Sequence, residues 1–172
     1  MFLRNLSAAL LGCALLAAPA SAIAAGRGPS APEERKQALD YIQHYMADPL
    51  DHRDNQEKVW LMQWLIDIPD VEVHVCSILD KLPKGDKKDG FTIFLAETFS
   101  QTAFLLQNPD KKDDRQAEFL AGVMGALQVY ELLLKSNPKD RQPFLDDLIL
   151  RRDAGTLPQF IQERLTAGAC HK

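Results

Sequence analysis

From residue 33 onward the apolar positions recur at three- and four-residue intervals, the period of an amphipathic helix rather than of a strand. Ala38, Ile42 and Tyr45 share one face, with Leu39 and Met46 beside it, and Asp48-Pro49 closes the segment. In "KVWLMQWLIDI", Trp60, Trp64 and Ile68 align with Leu61 and Leu65. That run should stop at Ile68-Pro69, because a residue before proline avoids the helical region. Ser30-Ala31-Pro32-Glu33 and Asp54-Asn55-Gln56-Glu57 have the form of capping boxes ahead of these two segments.

Phe91 to Gln107 is apolar on most sides, with Glu97 its one charge, as expected of a helix at the centre of a fold. The segment from Asp114 to Lys135 carries Ala117, Ala121 and Gly125 at four-residue spacing, with Gly122 and Ala126 beside them. Small residues there predict a face on which another helix approaches closely, offsetting the helical cost of glycine, up to about 1 kcal/mol each. Two shorter helices are predicted after it. Asp140 to Arg152 contains Phe144, Leu145, Leu148 and Ile149 and ends at Gly155, a fitting C-cap. Thr156-Leu157-Pro158-Gln159 opens the last, in which Leu157, Ile161 and Leu165 share a face and Gly168 is the stop.

One segment fits two periods. In "DVEVHVCSILDKL", Val71, Val73 and Val75 alternate with Glu72 and His74, yet Val71, Val75, Ile78, Leu79 and Leu82 also form a helical stripe behind Asp70 as N-cap. A strand here would have only "FTIFLAE" to pair with, and a lone hairpin is marginal in water, so residues 71–80 are read as helix. The sum is an all-α fold: a compact helical bundle or short helical array of about six to seven helices.

The chain also contains an echo. "QNPDKKDDRQAEFL" and "SNPKDRQPFL" both run Asn-Pro, charge, Arg-Gln, Phe-Leu. With Pro49, Pro83, Pro109 and Pro138 this loosely suggests two-helix repeats. The prolines are unevenly spaced, however, and the first-helix signature positions before Pro138 fall in the charged Asp110–Asp114 stretch. The echo therefore reads as a way of turning corners: Asn-Pro stops one helix, Asp favours the start of the next, and Phe-Leu enters the core. Phe119 and Phe144 should be buried, and Lys111, Lys112 and Lys139 should lie in water.

The first 22 residues do not belong to this pattern. Arg4, an apolar run from Leu6 to Ala18, Pro19 and the triplet Ala20-Ser21-Ala22 form the pattern of a cleavable secretory signal, and the run is shorter than the roughly 20 residues that span a bilayer. Expected organisation is thus signal peptide 1–22, flexible lead-in 23–32, and one helical domain over 33–172, with the mature protein exported, periplasmic or extracellular. No later segment is read as a span; the twelve uncharged residues Phe119 to Tyr130 are bracketed by Glu118 and Glu131. The whole chain has a formal charge of −4, one unit more negative without Arg4, which argues against nucleic acid as a partner. An exported chain enters a compartment where disulfides persist. Cys76 and Cys170 are the two cysteines left after the signal, and a bridge between them, closing about 94 residues, would be worth roughly 4–5 kcal/mol in the chain-entropy model.

Candidate chemistry is sparse. His44 and His52 flank a predicted turn, His74 and Cys76 lie two apart, and neither pair has a second pair to complete a metal site. Cys170-His171 is half of a C-x-x-C-H haem-attachment motif, but Ala167 stands where the first cysteine should be. There is no G-x-S-x-G, and the doublets Asp113-Asp114 and Asp146-Asp147 point about 100° apart on a helix. Glu97 is the most unusual charge, with Ser100 and Gln101 on its side of the helix; burial there would raise its pKa. No catalytic residue, metal or cofactor is assigned. The preferred reading is a non-enzymatic module that binds another protein, as an inhibitor, immunity-like or assembly factor, with Trp60 or Trp64 as anchor. The second reading is a ligand carrier or small enzyme, its pocket lined by Trp60, Trp64 and Tyr130 with Glu97 or His74 as the polar group.

Overall fold

The computed structural model describes residues 27–51, 55–79, 82 and 89–168. Six α-helices follow one another: α1 Pro32–Ala47, α2 Asn55–Asp67, α3 Gly90–Gln107, α4 Arg115–Ser136, α5 Pro143–Asp153 and α6 Leu157–Thr166. Among the described residues there is no strand. The array is all-α, as the periodicity predicts.

The centre is the antiparallel pair α3 and α4. Its small-residue face works by contact distance. A methyl group added at Gly125 would collide with the Ser100 side chain and lie 3.1 Å from the Ala96 carbonyl oxygen, and one at Gly122 would lie 2.7 Å from Gln101 Cγ. Ile93, Ala96, Phe99, Val123, Ala126, Leu127 and Val129 fill the interface and its surroundings. Arg115–Ser136 does reach the length and mean hydropathy of a membrane-crossing helix, contrary to the expectation from sequence, but over half of that apolar window is buried within the fold.

The other helices lean on this pair. From α1, Tyr45 sets its ring edge-on to Phe99 at 5.1 Å and donates its hydroxyl to the Thr92 carbonyl at 2.7 Å. In turn α2 packs on α1, where Trp60 lies edge-on to Tyr41 and stacked on Trp64. On the far side, Arg152 of α5 grips Glu131 of α4 with two hydrogen bonds of 2.8 and 2.9 Å, and Gln116 reaches the Pro158 carbonyl at the start of α6.

The echoed corners are built as the local reading says. Asn108 and Asn137, each before a proline, leave the helical region at φ −131° and −139°, and each donates its N–H four residues back, to Phe104 and Leu133. Asp114 caps α4 by accepting from Ala117 N–H at 3.0 Å. Lys111, Lys112 and Lys139 are exposed and Phe119 is fully buried. Phe144 is only half-buried; Leu145, one position on, takes the core place because α5 starts at Pro143 and turns Leu145 and Leu148 inward. Gly155 and Gly168 adopt positive φ after α5 and α6, as expected of C-terminal glycines.

Two further local expectations fail. Ser30 does not cap α1: the Ala31 N–H is met by Glu34 Oε2 at 3.0 Å, and Ser30 is buried elsewhere. The other capping candidate, Asp54, lies outside the described residues. The second failure is larger. Residues 71–76 are neither helix nor strand, and only Ser77–Leu79 form a single 3-10 turn. The reasons are at the two ends of this strap. "FTIFLAE", the one conceivable strand partner, lies inside α3.

Candidate functional site

The strap from Pro69 to Cys76 is fastened by two clips made of groups far away in sequence. At the first, Asp70, expected as a helix cap, is already occupied. Its Oδ1 accepts the Ser30 N–H and its Oδ2 the Ser30 hydroxyl, both at 2.8 Å, and Arg35 Nη2 adds a bond of 2.7 Å to Oδ2. Partial burial pushes the Asp70 carboxyl up, but the Ser30 donors and the Arg35 charge outweigh it and hold it below the usual aspartate range. The tail of the lead-in is thereby tied to the body at Ser30.

The second clip centres on Glu118, whose side chain in α4 is 0% exposed. Its Oε1 accepts the His74 backbone N–H at 3.0 Å and its Oε2 accepts Arg115 Nη1 at 2.9 Å. An N–H that a helix over 71–80 would have turned inward along the chain is thus satisfied by a carboxylate 44 residues away. Arg115 Nη1 also faces His74 Nδ1. Nδ1 also lies 3.2 Å from Glu118 Oε1, and Nε2 points to Glu72 Oε1 3.5 Å away.

Between strap, α1 and the α3–α4 corner lies a cleft of about 470 Å³. Arg35, His74 and Arg115 line it, together with Lys112 and Asp113 on the corner and the apolar side chains of Val71, Leu105 and Leu106.

The other residues singled out in the sequence do not meet there. Trp64 is buried and Trp60 half-buried; together they border a shallow recess of about 100 Å³ with Arg27 and Glu34. Tyr130 belongs to the opposite corner, where it accepts the Gln142 N–H at 2.7 Å and donates to Asp146 at 3.0 Å. Glu97 is buried within α3, and its Oε1 has no hydrogen-bond partner among the described residues. Burial pushes its pKa up to about 8, so at neutral pH it is mostly the neutral acid. Gln101, one turn on, is buried beside it, with Nε2 also lacking a partner. Of the pocket expected from Trp60, Trp64, Tyr130 and Glu97, the two tryptophans share a recess, while Tyr130 is engaged by Gln142 and Asp146. Cys76 is half-buried against the core, and Cys170 lies outside the described residues.

Two features escaped the sequence reading. Glu118 had a signal: it stands four and seven residues before Gly122 and Gly125, on the buried stripe of α4. The outer face of α2 had one too. Val59, Met62 and Ile66, at i, i+3 and i+7, are 68%, 40% and 75% exposed, and Val59 and Trp60 border a shallow surface concavity with Asn55, Gln56 and Gln63.

No family model, curated protein or solved structure matches this chain.

Proposed function

We propose that the chain is an exported, non-enzymatic helical module that binds another protein through the outer face of α2. One observation carries this reading: the Val59-Met62-Ile66 stripe, with Trp60 at its edge, leaves α2 apolar on the side turned away from the core. Single exposed hydrophobics are ordinary, but three in register on one helix are the usual anchors of a helix-face contact. Export rests on the 1–22 leader pattern, and N-terminal sequencing of the mature protein should begin at Ile23. A Cys76–Cys170 bridge belongs to the same reading. Mass analysis of an unreduced digest should recover the two cysteine peptides joined, and two alkylatable thiols would remove it.

The test of the binding face is the double variant Val59→Asp/Ile66→Asp. Both side chains project into solvent, so the circular dichroism spectrum and melting temperature should be retained. A partner captured from the native envelope by the mature wild type, then purified, should bind the variant at least about tenfold more weakly, the equivalent of about 1.4 kcal/mol. Equal affinity for both proteins sinks the assignment of α2.

A further inference from the structure

We propose that the cleft under the strap binds a free α-amino acid with an aliphatic side chain. Several of the charges around it are already engaged. Asp70 is taken up by Ser30 and Arg35, and Glu118 by the His74 N–H and Arg115. Each arginine therefore arrives fixed in place by a carboxylate, yet with N–H groups left over: Nη1 of Arg35, and Nε and Nη2 of Arg115. Their side chains remain 43% and 41% exposed. A guanidinium oriented by one carboxylate and open on its other edge is suited to a second, incoming carboxylate.

The cleft is not simply cationic. Lys112 stands on its rim with no side-chain partner among the described residues, and so does Asp113 beside it. Glu72, on the strap, makes only the long contact to His74 among the described residues. A plain anion would meet Asp113 and Glu72 as repulsion, and a plain cation would meet the guanidinium groups and Lys112. A zwitterion satisfies both sets: carboxylate to Arg115 and Arg35, ammonium to Asp113 or Glu72. Val71, Leu105 and Leu106 supply an apolar wall between them, and at about 470 Å³ the space lies at the small end of the range for small-molecule sites.

The discriminating experiment keeps the apolar body constant and removes one charge at a time. L-Leucine, 4-methylpentanoate and 3-methylbutylamine are titrated into the mature protein, following the amide resonances of residues 70–76 and 105–115 by NMR. Leucine should give saturable shifts, and each single-charge probe should bind about tenfold or more weakly, the worth of one lost charged contact. Lys112 has no hydrogen bond or ion pair through its side chain among the described residues, so Lys112→Glu should leave the melting temperature unchanged while weakening leucine several-fold. The proposal is overturned if leucine causes no saturable shift up to ~10 mM, weaker than any specific site of this size should be, if either single-charge probe binds as well as leucine, or if Lys112→Glu binds leucine like the wild type.

Discussion

Glu97 and Glu118 are buried to nearly the same degree on neighbouring helices, 5% and 0% exposed, and they live in opposite chemical states of support. Glu118 is met by a backbone N–H and a guanidinium. Glu97 has a pKa raised by burial to about 8, and an oxygen without a donor among the described residues. Depth of burial does not decide what a carboxylate does in a protein; the donors brought to it do. One of these residues organises a distant segment, and the other must hold a proton at neutral pH to stay buried.

The comparison breaks most visibly if Glu118 is removed. Glu118→Ala leaves the His74 N–H and Arg115 without their acceptor and should cost about 3–4 kcal/mol in urea unfolding, moderated because Arg115 can turn to water. Glu97→Gln should act with the opposite sign. A carboxyl at about 8 when folded and 4.5 when unfolded takes up protons on folding between those values, so it contributes stability below pH 4.5 that is lost as pH rises through 8. Glu97→Gln should therefore gain about 2–3 kcal/mol at pH 7 and flatten this part of the stability–pH curve, measured by denaturation from pH 4.5 to 8.5. A third variant acts on the interface between the two helices. Gly125→Ala forces Ser100 and α3 away from α4, costs about 1–3 kcal/mol, and should lower the Glu97 pKa by admitting water. The smallest effect is expected of Arg115→Lys, about 1 kcal/mol or less, since an ammonium keeps the charge facing Glu118 but loses the second contact to His74.

Most of the fold is legible in the sequence because its signals are local. Asn-Pro at both corners, Asp114 before α4, Gly155 and Gly168 after α5 and α6, and the Gly122-Gly125 face each act within a turn or two, or through size alone. Glu97 was legible for the same reason: a lone charge in an apolar helix. The strap was not. Its valines fit either period, and what decides its conformation is a pair of side chains, Glu118 and Ser30, 44 and 40 residues distant from their partners on it. Asp70 reads as a cap in any local view and is diverted by Ser30, which arrives from the lead-in, and by Arg35 of α1. Trp60 and Trp64 mark α2 correctly as an important helix, but its free face is formed by Val59, Met62 and Ile66, apolar residues that lie off the Trp60-Trp64-Ile68 stripe.

Residues 71–76 have no ladder or helix to hold their amides. Their protection against hydrogen exchange should therefore be set by the two clips and not by global unfolding, so this stretch forms a separate opening unit with its own, lower free energy. Its ends are not equivalent. The Ser30–Asp70 clip depends on a segment just outside α1, whereas the Glu118 clip is rooted in the central helix, so the strap should peel from its Asp70 end first. Proteolysis under native conditions would then begin on the Asp70 side of His74, while the α3–α4 pair is still closed.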